Sequence, residues 1–316
     1  MINVVVTDLE YKKSEDVFKN ADGFECISAP SDEKGLSEII RQSGAKYAIV
    51  GVTKYSNELY DTIPNGGVIA RFGVGHDGID KVLAKSKGIF CTNTPGALDD
   101  SVAECAMGMI MTAARHLAAC SMDNKNGNWK NRVGSELSGK TLAIIGCGNI
   151  GRKLAKIAKN GFGMHIIGND NFRPVDCSNI DEYTDSFATA VQNADFVSLH
   201  IPDIAATKNF INAERLNQMK QSAYLINTAR GGVVDEDSVY DAVKAGQIAG
   251  AVLDVFKNEP YIPAIKNLRE LDNVIMTPHI GSSTTEACNR MAESCLKNIS
   301  FANSGHFDSM SIILHF

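Results

Sequence analysis

Residues Lys140 to Gly151 read KTLAIIGCGNIG, and the helix-like RKLAKIAK follows at once. A run of β-prone apolar residues ends in Gly146, Gly148 and Gly151. The spacing G-x-G-x-x-G says little by itself. After a strand and before a helix it reads as a dinucleotide-binding turn. Gly146 permits the tight turn, Gly148 lets the backbone approach a pyrophosphate, and Gly151 lets helix and strand pack closely. The helix N-terminus then offers N–H groups and the positive dipole end to the anion. The next strand, MHIIGND, closes on Asp170, 22 residues after Gly148. A carboxylate at about that distance can hydrogen-bond the ribose hydroxyls of NAD and repel the extra phosphate of NADP. Arg173 is close enough in sequence to soften that preference. The bland alternative is a glycine turn followed by a solvated aspartate.

Outward from this motif, short apolar runs alternate with helical patterns. Val4–Val6, Ala48–Val50 and Val68–Ala70 precede it. His165–Ile167, Phe196–Leu199, Ala223–Ile226, Ala249–Leu253 and Val274–Met276 follow. Between them lie segments of helical spacing, such as Ser37 to Ser43. Such alternation predicts parallel sheets covered by helices on both faces. Two series of strands predict two α/β domains, with a boundary near Pro95-Gly96. There, Asp99 or Asp100 can cap a long helix through VAECAMGMIMTAARHL. The polar stretch from Asn124 to Gly139, with the only tryptophan, Trp129, reads as a long loop or arm.

The chain has 316 residues, 44% hydrophobic and 22% charged, the make-up of a globular protein with a sizeable core. A net charge of -6 and the lack of any long Lys/Arg run argue against nucleic acid and anionic membrane as partners. The eight cysteines form no C-x-x-C pair, so they read as reduced packing residues, and no metal site is expected. Neither a signal peptide nor a run of roughly 20 apolar residues is visible, so cytoplasmic residence is the expectation.

Three polar residues fall just after strands of the second series: Arg230 in INTARGG, Glu259 in VLDVFKNEP and His279 in VIMTPHIGSST. Singly each is unremarkable, and a lone loop histidine is usually structural. Parallel sheets bind ligands at the carboxyl ends of their strands, so the shared placement makes the three a set. Arginine can hold a carboxylate with a planar fork. Histidine can pass a proton near neutral pH, and a neighbouring carboxylate can orient it.

RFGVGHDGID, GIFCTNTPGALDDSVAE, GSELSGKTLAIIGCGNIG, INTARGGVVDEDSV, GAVLDVFKNEP and TPHIGSST occur in this order, and together they resemble the D-isomer-specific 2-hydroxyacid dehydrogenases. The likeness spans most of Ala70 to Thr284. It implies two Rossmann-like parallel-sheet domains, with a split substrate domain (1–98 and 283–316) flanking an NAD-binding domain (99–282). It implies that Arg230, Glu259 and His279 are catalytic. It assigns dinucleotide contacts to Asn149, Ile150 and Asp170, to Thr228, Ala229 and Arg230, to Asp254, and to His279, Ile280, Gly281 and Ser282. Val74, Gly75 and His76 would meet the substrate carboxylate through backbone N–H groups. The implied reaction is hydride transfer between NAD (NADP less favoured) and C2 of a small 2-hydroxy or 2-oxo acid. A homodimer is expected, through the helix from Ser101 and the Trp129 arm.

Several residues keep two readings. His76 could be a second acid-base group, although a cleft-lining or packing role is preferred. His200 either lines the cofactor site or is structural. His116 and His165, in a helix and a strand, pack or face solvent. IVGVTKYSNEL stands where several relatives carry an arginine-serine segment. Lys54 there either meets a second anionic group, such as the phosphate of 3-phosphoglycerate, or is a solvated surface lysine. A formate-oxidising relative would carry glutamine in place of Glu259. No serine feedback through an added regulatory domain is expected of a chain ending at Phe316. A different class of function, an NAD-sensing corepressor or scaffold, would keep the glycine loop without turnover.

Overall fold

The computed structural model describes residues 1–172, 176–263 and 265–313, so Arg173 lies outside the described residues. The chain divides into two compact units, Met1–Leu98 with Ser283–Phe316, and Asp99–Ser282.

The first unit is a parallel sheet of β1 (Ile2–Thr7), β2 (Phe24–Ala29), β3 (Tyr47–Val50), β4 (Val68–Arg71) and β5 (Phe90–Thr92), in the order β2-β1-β3-β4-β5. The central strands YAIV and VIAR are buried at every position, as expected of strands covered on both faces. The helix Glu33–Ser43 starts at Asp32, whose carboxylate accepts from the Gly35 amide, and stops at Gly44 in the left-handed region. The last helix, Thr285–Asn303, belongs to this unit and is capped by the Thr284 hydroxyl. Beyond it, Ile312 pairs antiparallel with Thr92 on β5.

The second unit is a parallel sheet of β6 (Thr141–Ile145), β7 (His165–Asn169), β8 (Glu182–Thr184), β9 (Phe196–Leu199), β10 (Tyr224–Asn227), β11 (Gly250–Leu253) and β12 (Val274–Met276). Its order is β12-β11-β10-β9-β6-β7-β8. The chain runs outward from β6 in one direction, then returns to β9 and continues in the other. A crevice therefore opens between the carboxyl ends of β6 and β9, where such sheets bind ligands. Alternate residues feed two cores. Ala143, Ile145, Val197 and Leu225 enter one. Leu142, Ile144, Phe196 and Ile226 enter the other. The period of two along each strand produces this division.

One expected element differs. The long helix from Asp99 stops at Arg115, and a second helix runs from Leu117 to Lys125. His116 joins them in the left-handed region, with φ of 54°. The reason lies in the arm. The Ser135 amide donates to the Ala114 carbonyl at 2.9 Å, and the Gly134 backbone abuts the same carbonyl. That contact satisfies a carbonyl at the helix end. His116 is therefore a junction rather than a helical residue. His165 begins β7 and meets Glu182 at 2.9 Å.

Candidate active site

The glycine loop follows β6 at the crevice. Gly146 has φ of +98°, and a Cβ there would lie 2.6 Å from the His200 carbonyl. A Cβ at Gly151 would meet the Gly146 carbonyl at 2.2 Å, so helix and turn pack backbone to backbone. Gly148 differs: its φ is an ordinary -69°, and a Cβ would have nothing within 4 Å. No packing contact among the described residues demands glycine there, whereas a pyrophosphate lying against the loop would.

The rest of the loop fits a dinucleotide too. The helix Asn149–Phe162 starts without a side-chain cap among the described residues, which leaves its first N–H groups, those of Asn149 and Ile150 among them, able to receive an anion. Asp170, just past β7, is held under the loop by the Cys147 amide at 2.8 Å. The Thr228 hydroxyl, at the end of β10, is buried and has no partner among the described residues. Among those residues no cluster of three or more His, Cys, Asp or Glu side chains is placed to hold a metal.

Arg230, Glu259 and His279 come from the ends of β10, β11 and β12. Buried Asn227 shapes the first turn. Its side-chain oxygen accepts from the Ala229 amide at 3.0 Å, and its amide donates to the Arg230 carbonyl at 2.9 Å. This is an asparagine turn that presents Thr228, Ala229 and Arg230. Gly231 then brings that turn against the backbone of Phe256 and Lys257, where any side chain would collide. Arg230 thereby comes close enough for its charge to act on Glu259.

His279 Nδ1 and Glu259 Oε2 are 2.7 Å apart, each side chain 29% exposed. The other carboxylate oxygen of Glu259 accepts from the Phe256 amide at 3.0 Å. Burial pushes the Glu259 pKa up, but the hydrogen bond from His279, its charge, the Phe256 amide and Arg230 outweigh this, and the net value falls below the usual range. His279 itself sits at φ of 54°, an uncommon backbone region for a non-glycine residue. Asp254 enforces it. Its carboxylate, fully buried, accepts from the Thr277 hydroxyl at 2.6 Å, the Ile280 amide at 2.8 Å and the Gly281 amide at 2.7 Å. The Asp254 carbonyl takes the His279 amide at 2.8 Å. With Nδ1 on Glu259, the ring keeps Nε2 for a reacting group, and Nε2 has no partner among the described residues.

Other predicted residues fall less centrally. His200 Nε2 lies 2.9 Å from the Ser198 hydroxyl, and burial lowers its pKa to about 4, so the ring is neutral near neutral pH. With its carbonyl against Gly146, His200 forms the floor of the glycine loop. Ser282 closes the second unit directly after the His279 turn. In the first unit, the amides of Val74 and Gly75 donate to no acceptor among the described residues. His76 Nδ1 lies 3.2 Å from the Lys81 ammonium, which can only donate, so that nitrogen is the acceptor. In the Thr53–Ser56 segment, the Tyr55 hydroxyl donates to the Ser31 carbonyl at 3.2 Å, and the Ser56 hydroxyl donates to Glu33 at 2.6 Å. Lys54 is exposed, with no carboxylate partner among the described residues.

Asn227 and the organising role of Asp254 were missed by sequence reasoning. The asparagine two residues before Ala229 carried a turn signal; nothing in sequence could show that Asp254 spends its carboxylate on the histidine turn.

Residues 107–281 match the family model described as "D-isomer specific 2-hydroxyacid dehydrogenase, NAD binding domain". A hydroxypyruvate reductase of Thermotoga maritima is 40% identical, over 94% of this chain and 96% of that protein. Among solved structures, a D-lactate dehydrogenase of Aquifex aeolicus, complexed with NAD and lactic acid, superposes with a TM-score of 0.85 at 30% identity, covering 99% of this chain and all of that one. An NADPH-dependent glyoxylate/hydroxypyruvate reductase of Sinorhizobium meliloti, in complex with NADP and malonate, gives 0.82 at 28% identity, with 96% and 94% covered.

Proposed function

The chain belongs to the D-isomer-specific 2-hydroxyacid dehydrogenase family, an oxidoreductase family acting on CH–OH donors, and from that premise we propose that it is an NAD-dependent reductase of small 2-oxoacids. The observation that carries this reading is the 2.7 Å His279–Glu259 pair at the carboxyl edge of a dinucleotide-type sheet, within reach of the charge of Arg230.

The nicotinamide of a bound NADH would supply the hydride to the substrate's C2. The chain's own residues do the rest. Arg230 holds the substrate carboxylate and polarises the adjacent C2 oxygen. His279 gives a proton from Nε2 to that oxygen during reduction and takes it back during oxidation. Glu259 accepts from Nδ1, which sets the tautomer and ring orientation and leaves Nε2 for the reacting oxygen. The amides of Val74, Gly75 and His76 bind the substrate carboxylate as a row of donors. Gly148 and the helix N-terminus receive the pyrophosphate, and Asp170 the adenosine ribose. Arg152 donates to Asn149 at 2.9 Å and Lys153 pairs with Asp100, so the cations of that helix start are already engaged. The Asp170 carboxylate just past β7, which would repel a 2′-phosphate, supports NAD over NADP.

Hydroxypyruvate and glyoxylate are the favoured substrates, by likeness to the relatives. A second reading adds a distal anionic group met by Lys54, since Tyr55 and Ser56 are committed to the protein and Lys54 has no carboxylate partner among the described residues. The arm from 126 to 139 carries Trp129 at 92% and Val133 at 90% exposure, which supports a homodimer formed through that face.

The test is an NADH-oxidation screen of 2-oxoacids differing in distal charge, with NADPH alongside. Turnover of glyoxylate or hydroxypyruvate is expected. Binding of NADH without oxidation across the panel would favour a cofactor-sensing corepressor or scaffold instead.

A further inference from the structure

The segment Phe72 to Val74 has all three of its carbonyls engaged. The Arg71 guanidinium donates to the Phe72 carbonyl. The Thr94 amide donates to the Gly73 carbonyl at 3.0 Å. The side-chain amide of Asn93 donates to the Val74 carbonyl at 2.8 Å. Gly73, at φ of +141°, has the guanidinium where a side chain would begin, within 3.1 Å of a Cβ. On the other side of the same peptides, the Val74 and Gly75 amides have no acceptor among the described residues.

Peptide planarity links these facts, because fixing a carbonyl fixes the N–H of the next residue on the opposite side. The Asn93 bond to the Val74 carbonyl orients the Gly75 amide, and the Thr94 bond to the Gly73 carbonyl orients the Val74 amide. We infer that Asn93 is a positioning residue that aims the Gly75 amide at the substrate carboxylate. This rests on the functional reading above, which assigns that carboxylate to the loop.

Asn93 is itself held from behind. Buried Asn298, on the helix Thr285–Asn303, donates to the Asn93 carbonyl at 3.2 Å and accepts from the Ser311 amide at 2.8 Å. The Asn93 amide donates to the Ser311 carbonyl at 3.2 Å. The C-terminal helix and the segment after it thus brace a loop more than 200 residues earlier in the chain. A braced asparagine keeps its side-chain amide aimed at one carbonyl.

The test compares Asn93→Ala and the isosteric Asn93→Asp with the wild type in the intact protein. Three constants are read: the KM for glyoxylate, the inhibition constant of oxamate, which mimics a 2-oxoacid, and the Kd for NADH. Losing one such hydrogen bond is expected to raise the first two about tenfold. Asn93→Asp, which sets a carboxylate against the Val74 carbonyl, raises them further. The NADH Kd stays within about twofold and saturated kcat within about threefold, a split that general loosening would not give. KM and oxamate constants unchanged in either folded variant would overturn the inference, as would an NADH Kd that weakens in parallel. A wild type that neither reduces glyoxylate nor binds oxamate would remove the functional reading and this inference together. Unchanged constants in the variants of an active wild type would remove the inference alone.

Discussion

Glu259 Oε2 lies 2.7 Å from His279 Nδ1, and the carboxylate's other oxygen is fixed by the Phe256 amide at 3.0 Å. The glutamate therefore cannot swing away without breaking a bond to its own loop. It constrains which imidazole nitrogen is left open, and that nitrogen is Nε2.

His279→Ala is expected to lower kcat for 2-oxoacid reduction roughly 100-fold or more, the usual scale for losing a general acid. Glu259→Gln keeps the shape but not the charge and is expected to lose less, about 10- to 100-fold. Steady-state kinetics at saturating NADH checks both, and near-normal turnover in His279→Ala would refute the assignment.

The same carboxylate has a pH signature in stability. Its folded-state pKa lies below the ordinary 4.5. The ionised form thus stabilises the fold, fully so above about pH 4.5, and that contribution is lost as pH falls through the lower folded value. Glu259→Gln should show a shallower fall of Tm between about pH 5 and 3 than the wild type. Parallel curves would mean that the pair contributes nothing to folding.

Asp254 makes a different prediction from a cofactor contact. Its carboxylate takes donors from Thr277, Ile280 and Gly281, so Asp254→Ala leaves these groups short of an acceptor, at a cost of about 1–3 kcal/mol for each buried group left unsatisfied. The His279 turn loses its brace. We expect kcat to fall at least about tenfold, with Tm lowered, while the Kd for NADH changes less than about threefold. Thermal melts and fluorescence titration separate the cases, because a direct cofactor role would weaken NADH binding in step with kcat.

The alternation of strands with helices and the grouping of chemistry at strand ends were legible in sequence because each rests on a local pattern. KTLAIIGCGNIG carries the turn, the helix start and their spacing within twelve residues. Arg230, Glu259 and His279 each follow a short continuous, largely apolar run, YLIN, GAVL or VIM, of the kind that marks a strand of a covered parallel sheet. What escaped notice depends on distant partners. The strand Glu182–Thr184 is three polar-flanked residues, and it exists because β7 offers an edge to pair with. His116 leaves the helix because Gly134 and Ser135, some 20 residues on, take up the Ala114 carbonyl. Asn93 is an ordinary turn residue until Val74 and Asn298 are seen beside it.

Cofactor choice can be tested at Asp170, whose carboxylate accepts from the Cys147 amide at 2.8 Å within the glycine loop. Asp170→Asn retains an acceptor for that amide and removes only the charge. The loop should therefore survive, while repulsion of a 2′-phosphate disappears. We expect the kcat/KM preference for NADH over NADPH to drop about tenfold or more, with only a modest loss of NADH affinity. An unchanged preference would locate discrimination elsewhere around the adenosine ribose.

His200 gives a second, separable pH effect. Burial holds its pKa at about 4, against 6.5 for a free imidazole. Between those values the unfolded chain takes up a proton that the folded ring refuses. The unfolded state then binds more protons, so stability rises with pH across that window and is lost as pH falls from about 6.5 towards 4. The loss amounts to roughly 1–3 kcal/mol at the bottom of the window. His200→Gln can keep a hydrogen bond to Ser198 without titrating. Its Tm should decline less steeply than that of the wild type from about pH 6.5 to 5. This window lies above that of Glu259, so one pair of melting series distinguishes them. If His200→Gln declines as steeply as the wild type, the ring takes up its proton in the folded protein, and the floor of the glycine loop is wetter than its burial implies.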